Sequence, residues 1–261
     1  MKCGRPDDTS LWRAAGLTLL KGGEGLERGT RGVVPRKPRE EVAGGIHHVY
    51  ARGNNKALLF VDDVDREGYL WLLGTEVGRR RWRCLSYCLM DNHMHLLIET
   101  PEPNLGRGMQ RLHGDFGRGF NRRHSRSGHV FQGRYGSKPV RDDEQLWTVA
   151  GYIAANPVEA GLCRSPGDWP WSSHAAVVGG LAAPAWLDLE RLYERFESWG
   201  GDPRERYLAA VGGRGAGAEH GAVAGHDAVA GHGAGAVRGA VAGRGAVAGH
   251  GAVAGRDAVA A

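Results

Sequence analysis

The sequence lacks several features that mark large classes of protein. No apolar run reaches the roughly 18 residues that a membrane-spanning helix needs, so we expect no membrane partner. The 4 cysteines form no paired motif, which argues against a disulfide scaffold and favours a reducing, cytoplasmic setting. The 11 prolines keep no collagen-like register with glycine. These absences leave an ordinary cytoplasmic protein as the expectation.

Glycine is the residue that the sequence has in excess. It supplies 43 of 261 residues, about 16%, against roughly 7% in an average protein. Residues 212–261 hold 15 of these glycines, in a recurring six-residue unit of the type GAVAGH or GAVAGR. With no large apolar side chains, the unit buries too little surface to offset the entropy of ordering glycine. We predict a disordered, low-complexity tail over 212–261, with a hexapeptide β-helix as the ordered alternative.

The rest of the chain divides into three parts. Residues 1–33 show no sustained hydrophobic period, and we predict a poorly ordered N-terminal extension over 1–43, with a natural start hypothesised near Val33 or Val34. Residues 44–180 carry the regular patterns of one folded domain, and the folded part is large enough for a real core. Residues 181–211 predict a C-terminal helical extension, for which amphipathic packing is the default role.

Apolar spacing predicts the order of elements inside the domain. Strands are expected over 46–52, 82–90 and 93–99 and within 130–141, and helices over 62–80, 104–123 and 142–155. Asn104 is expected to cap the second helix, and Pro157 to end the third helix at Asn156. The order βαββαβα predicts an α+β fold: a ferredoxin-like antiparallel sheet with helices on one face, flanked by weakly ordered termini.

Positive charge is concentrated in one segment. Between Asn104 and Arg141 there are eight Arg and one Lys against the single acid Asp115, a local charge of +8 beside +5 for the whole chain. A solvated helix face is the simpler reading of such a run. Interleaved aromatic rings favour nucleic-acid binding, because Arg binds phosphate and aromatic rings stack on unpaired bases. The candidate contact residues are Arg107, Arg111, Arg118, Arg122, Arg123, Arg126, Arg134, Tyr135 and Lys138.

The motif HMH, at positions 93–95, is the first candidate for chemistry. On a strand, side chains two apart point to the same face, so His93 and His95 can hold one divalent metal. A pair of solvent-facing strand histidines is the alternative. The neighbouring pair His47 and His48 point to opposite faces, so they are not expected to act together.

The second candidate is Tyr152, near the end of the third predicted helix. Asn156 follows four residues later on the same helical face, so a nucleophile and a third metal ligand could be adjacent. A tyrosine packed at the edge of the core, followed by a helix-ending asparagine, is the alternative. Tyr135 is the strongest rival tyrosine, but it lacks a downstream ligand at helical spacing, and we expect it to stack on a base.

Five segments occur in an order and spacing that resemble one family. They are GGIHHVYARGNN, YCLMDNHMHLLIET, RGMQRLHGDFGRGFNRRHSRSGHVFQGRY, YIAANPVEAGL and DWPWSSH, within about residues 35–180. The chain resembles the single-tyrosine transposases with a histidine–hydrophobe–histidine (HUH) motif, in the branch associated with repetitive extragenic palindromes (REP). Met94 is the hydrophobic residue of that motif.

The resemblance implies a function for the domain at 44–180. It implies that His93, His95 and Asn156 bind Mg²⁺ or Mn²⁺, and that Tyr152 attacks DNA to form a 5′-phosphotyrosine. The expected activity is a metal-dependent endonuclease and strand transferase, with single-stranded or hairpin DNA as partner and a nucleoid-associated location. A domesticated hairpin-binding module without cleavage, and a degraded transposase product, stay open as alternatives. The sequence leaves monomer or homodimer undecided.

Overall fold

A computed structural model describes residues 41–197 and 200–213. Most of the predicted N-terminal extension (1–43) and nearly all of the predicted tail (212–261) lie outside these residues. Four strands are present in the described part: β1 (Gly45–Arg52), β2 (Arg83–Leu89), β3 (His93–Thr100) and β4 (Gly136–Val140). Its helices are α1 (Asp63–Arg80), α2 (Leu105–Arg123), α3 (Asp143–Glu159), α4 (His174–Val177), α5 (Leu189–Glu197) and α6 (Pro203–Gly212).

The strands form one antiparallel sheet in the order β2-β3-β1-β4. In the central pair, Tyr50 lies opposite His95 and Arg52 opposite His93. On the other side of β1, His48 lies opposite Lys138. The predicted α+β class and antiparallel sheet are therefore confirmed, and the start of β3, the end of β1 and the start of β4 meet at one end of the sheet.

Both faces of the sheet are covered by helices, which corrects the expectation of helices on one face. Met94, Leu96 and Ile98 belong to a core that includes residues of α1 and α2. Leu97, which points the other way, packs in a second core with residues of α3, α5 and α6, among them Ile153. Side chains of both alternating sets of β3 are buried, so each face of the strand has a cover.

Helix α2 forms despite its many glycines. Its predicted apolar stripe is fully buried, with at most 1% exposure at Leu105, Met109, Leu112, Phe116 and Phe120. Gly108 is needed for close packing, since a Cβ there would lie 2.2 Å from the Trp82 ring. Asn104 occupies the N-cap position without a side-chain capping bond, because its Oδ1 accepts a hydrogen bond from Trp82 Nε1 at 2.5 Å instead.

Helix α3 continues through Pro157 to Glu159, which corrects the predicted end at Asn156. Proline removes one backbone donor, but the helix end is still held by a bond from Ala160 N to Asn156 O at 2.9 Å. In its middle, α3 packs closely on α6, since a Cβ on Gly151 would lie 2.4 Å from Ala210 O. None of the helices in the described residues is long and apolar enough to cross a membrane.

Candidate active site

The two histidines of the HMH motif lie at the start of β3 and face the side of the sheet that α3 covers. Their ring centroids are 5.2 Å apart. His93 is half-buried, and His95 is only 3% exposed. The strand geometry expected from the sequence is therefore present, and both rings can reach one point beside α3.

Asn92 and Asn156 hold the His93 ring from two sides. His93 Nδ1 donates to Asn92 Oδ1 at 2.8 Å, while His93 Nε2 lies 3.4 Å from Asn156 Oδ1. In this tautomer, a neutral His93 directs the lone pair of Nε2 at the amide oxygen of Asn156. Two acceptor atoms that face each other suit a cation bound by both.

His48, on β1, orients the His95 ring. His48 Nε2 lies 3.0 Å from His95 Nδ1, and the two rings stack with centroids 5.2 Å apart. Burial, and then the charge of Lys138, lowers the pKa of His48 to about 4, so the ring is neutral at pH 7. A neutral His48 can accept a hydrogen bond from His95 Nδ1, and Nε2 is then the atom through which His95 would bind a metal.

Tyr152 is brought to the same place by α3. Its ring meets the His95 ring edge-on at 5.3 Å between centroids and the His48 ring at 5.9 Å. Asn156, one turn later and 6% exposed, donates from Nδ2 to Tyr152 O at 3.4 Å. The four residues singled out in the sequence for a metal and a nucleophile thus converge on one face of the sheet.

Two further residues of β1 join the cluster and were missed in the sequence. His48 and Tyr50 share a strand face, with ring centroids 5.5 Å apart, and Tyr50 lies 6.3 Å from His95. The opposite orientation of His47 and His48 was foreseen, but not that His48 points at the HMH motif. The missing information was the register between β1 and β3, which a single sequence does not contain.

The donor set fits a small divalent cation. Two imidazole nitrogens and one amide oxygen, from His93, His95 and Asn156, are ligand types that Mn²⁺ accepts and that Mg²⁺ can use together with water. Asn92 and His48 supply the outer hydrogen bonds that commonly orient metal-binding imidazoles. No group of three His, Cys, Asp or Glu suited to a metal occurs in the described residues.

Several arginines of the predicted basic surface on α2 form ion pairs with carboxylates of the protein. Arg123 binds Asp62 at 2.7 Å and the fully buried Asp65 at 2.9 Å, which ties α2 to the start of α1 and removes Arg123 from the candidates for DNA contact. Arg111 lies 3.4 Å from Glu76, and Arg118 is paired with Asp115. The exposed candidates are Arg107, Arg118, Arg122, Arg126 and Arg134.

A groove of about 1220 Å³ lies between α2 and the segment 128–135. Arg107, Arg118 and Arg134 line it, together with Gly114 and Gly117. Its outer segment is attached to the active end of the sheet, because Gln132 N donates to Arg52 O at 2.9 Å and Arg52 pairs with His93. The groove and the histidine cluster are therefore connected through one short backbone segment.

Two predicted nucleic-acid contacts differ from the exposed arginines. Tyr135 borders the groove, but it is only 5% exposed and packs in the core on the α1 and α2 side, so little of its ring is accessible to a base. Lys138 lies on β4 opposite His48, on the face of the histidine cluster rather than on the surface of α2. Both residues were predicted to join the arginines of α2 because they lie close to them in the sequence.

Three comparisons relate the chain to known proteins. Residues 42–156 match a family model described as Transposase IS200 like. A Haemophilus influenzae protein that carries the name REP-associated tyrosine transposase is 29% identical over 130 residues, which are 46% of this chain and 67% of that protein. A solved structure of a REP-associated tyrosine transposase bound to a REP hairpin aligns at 18% identity with a TM-score of 0.48, over 57% of this chain and 89% of that one. Residues 42–156 are therefore similar to the IS200-like transposases, and the resemblance of the chain to the REP-associated tyrosine transposases is confirmed.

Proposed function

We propose that the protein is a metal-dependent single-stranded DNA endonuclease and strand transferase that acts on hairpin or palindromic DNA. The observation that carries the proposal is the convergence of Tyr152, His93, His95 and Asn156. A hydroxyl nucleophile beside three potential ligands is a combination that can carry out metal-assisted phosphodiester cleavage. The transposase family of residues 42–156 supports the same class of chemistry.

In the proposed reaction, Tyr152 is the nucleophile. Its hydroxyl loses a proton as the oxygen forms a bond to the scissile phosphorus, and the bond from phosphorus to the 3′-oxygen breaks. The released 3′-oxygen takes up one proton, so the overall step conserves protons. The product is a 5′-phosphotyrosine and a free 3′-hydroxyl. Mg²⁺ or Mn²⁺ held by His93, His95 and Asn156 would polarise the phosphate and offset the charge that develops on it. Attack by a 3′-hydroxyl reverses the step, so strands are rejoined without ATP.

The residues around Tyr152 fit this role. His95 and His48 flank the ring edge-on and restrict its motion, and α3 supplies a rigid support for the side chain. Lys138, opposite His48 on β4, places a positive charge on the same face, where a phosphate of the substrate would be attracted. Exposed arginines along the groove provide a path for the strand outside the reacting phosphate.

The test uses labelled hairpin oligonucleotides with Mg²⁺ or Mn²⁺ and follows a covalent protein–DNA adduct on denaturing gels. We expect an adduct with the wild type and none with Tyr152→Phe, while hairpin affinity stays within about twofold because only one hydroxyl is removed. Tyr50→Phe is the matched control: it removes a hydroxyl from the same face and should still form the adduct.

Each other outcome has a definite meaning. Adduct formation by Tyr152→Phe and its loss in Tyr50→Phe would reassign the nucleophile to β1. Hairpin binding by the wild type without any adduct, over a range of oligonucleotides and both ions, would identify a binding module that no longer cleaves. Cleavage that persists in the presence of a chelator would contradict the metal site.

A further inference from the structure

The segment DWPWSSH, at positions 168–174, contributes no residue to the active site, yet it is firmly attached to the sheet. It follows the outer edge of β2: Leu89 N donates to Trp171 O at 2.9 Å, and Trp169 Nε1 donates to Leu89 O at 3.0 Å. Ser173 adds a bond from its backbone N to Tyr87 O at 2.9 Å. The segment therefore covers a sheet edge and places two tryptophans near the turn between β2 and β3.

The two tryptophans enclose the guanidinium of Arg66, from the first turn of α1. The Arg66 guanidinium carbon lies 5.6 Å from the ring centroid of Trp171, 5.8 Å from Trp169 and 5.9 Å from Phe60. Arg66 is only 7% exposed. A planar guanidinium can stack on rings and still donate along its edges, which an ammonium cannot do as well.

The enclosed guanidinium is bonded to the turn that precedes His93. Arg66 Nη2 donates to Asp91 Oδ1 at 2.5 Å, and the Asp91 carbonyl accepts from Leu59 N at 2.8 Å and Phe60 N at 3.1 Å. The next residue, Asn92, accepts from His93 Nδ1 at 2.8 Å. A continuous series of contacts thus runs from the tryptophans through Arg66 and the turn to the His93 ring.

We infer that Arg66 is a positioning residue that fixes the turn Asp91–Asn92 and thereby directs His93 Nε2 at Asn156. The inference rests on the proposed function in that it treats His93 as a metal ligand. Nothing else in the described part of the chain bonds the Asp91 carboxylate apart from Arg66. The charge-assisted bond adds the Asp91 side chain to the backbone bonds that Leu59 N and Phe60 N make to this turn, and Asn92 transmits the orientation of the turn to the ring.

The experiment compares Arg66→Met with Arg191→Met. Arg191 is the matched control, because it binds Glu99 at 2.8 Å and so holds the opposite end of the same strand, β3. The first measurement is the NMR signal of each imidazole in the metal-free protein. We expect Arg66→Met to shift or broaden the His93 signals and to leave those of His174 unchanged, and Arg191→Met to change neither.

The second measurement is the affinity for Mn²⁺ alone. Loss of an outer-shell contact weakens metal binding by about 10- to 100-fold, and the indirect route through Asn92 places Arg66→Met near about 10-fold. Asp91→Asn removes the carboxylate and leaves the Arg66 guanidinium between the surrounding aromatic rings. It should change the His93 signals and the Mn²⁺ affinity in the same direction as Arg66→Met, but by less. This variant decides the matter if Arg66→Met does not fold.

Unchanged His93 signals and unchanged Mn²⁺ affinity in a folded Arg66→Met or Asp91→Asn protein would overturn the inference and leave Arg66 as a stabilising residue only. The NMR measurement needs neither metal nor DNA. If the wild type forms no DNA adduct, the proposed function fails, and the His93 signals still decide whether Arg66 positions that ring.

Discussion

The histidine face of the sheet and the basic surface of α2 were both inferred from residue patterns, and they behave differently in the structure. The spacing patterns HMH and Tyr152–Asn156 lead to a compact cluster, with His93 Nε2 only 3.4 Å from Asn156 Oδ1. The arginines instead differ from one another: carboxylates of α1 hold Arg111 and Arg123, whereas Arg118 is exposed although it is paired with Asp115. Backbone periodicity determines direction reliably over two or four residues, whereas charge density in sequence says little about which charges are already neutralised.

The largest expected effect is on the histidine face. His95→Ala should reduce adduct formation by at least about 1000-fold, since it removes a ligand and the ring against which Tyr152 packs. Hairpin affinity should change by less than about threefold, because the arginines are untouched. Adduct formation is measured on gels and affinity by fluorescence anisotropy. A parallel loss of affinity would mean that the two regions are not separable.

The next effect sharpens the division among the arginines. Arg123→Ala should lower the free energy of unfolding by about 3 kcal/mol, because it withdraws a partner from the buried carboxylate of Asp65. Arg122→Ala, its exposed neighbour, should change stability by less than about 0.5 kcal/mol. Urea unfolding measures both. Equal stabilities would contradict a structural role for Arg123.

A smaller effect is expected from the histidine pair on β1. His48→Phe should weaken Mn²⁺ binding by about 10-fold, because His95 Nδ1 loses its oriented acceptor. His47→Phe, one residue earlier and on the other face, should leave Mn²⁺ affinity unchanged. Titration calorimetry of the two variants compares the faces directly. Equal weakening by both variants would indicate a general disturbance of β1.

The smallest effect tests the exposed arginines of the groove. Arg107→Ala and Arg134→Ala should each weaken hairpin binding by about 3- to 10-fold and reduce the salt dependence of log K by about 1. Arg123→Ala, in the folded state, should leave this salt slope unchanged. Affinity measured from low to high salt decides it. Unchanged slopes for Arg107→Ala and Arg134→Ala would place the DNA elsewhere.

Periodicity predicted most of the elements, and each error has a local cause. The apolar stripe of α2 outweighed its glycines because five large side chains are buried together on it. Asn104 was expected to cap α2, but a bond to Trp82, distant in sequence, competes for its oxygen. Pro157 was expected to end α3, but a proline in the last turn costs a single donor and the following backbone bonds keep the helix going.

Tyr135 illustrates what residue type leaves undecided. A tyrosine among arginines is equally suited to a base-stacking surface and to a core edge, and only the path of the chain before β4 buries it. His48 is the converse case, a site residue that the sequence did not predict. It was not expected to act in a site because its neighbour His47 points to the opposite face. The pairing of β1 with β3 brings it within 3.0 Å of His95.

By itself, the sequence determined the α+β class. It also determined that His93 and His95 share one face of a strand and that Tyr152 and Asn156 share one face of a helix. These properties follow from backbone repeats of two and 3.6 residues, which act over short distances along the chain. Only the tertiary structure decided that helices cover both faces of the sheet and that Arg123 is paired with the buried Asp65. It also placed Arg66 between two tryptophan rings, beside the turn before His93. Each of these depends on contacts between residues far apart in sequence, whose partners are selected by packing and strand register.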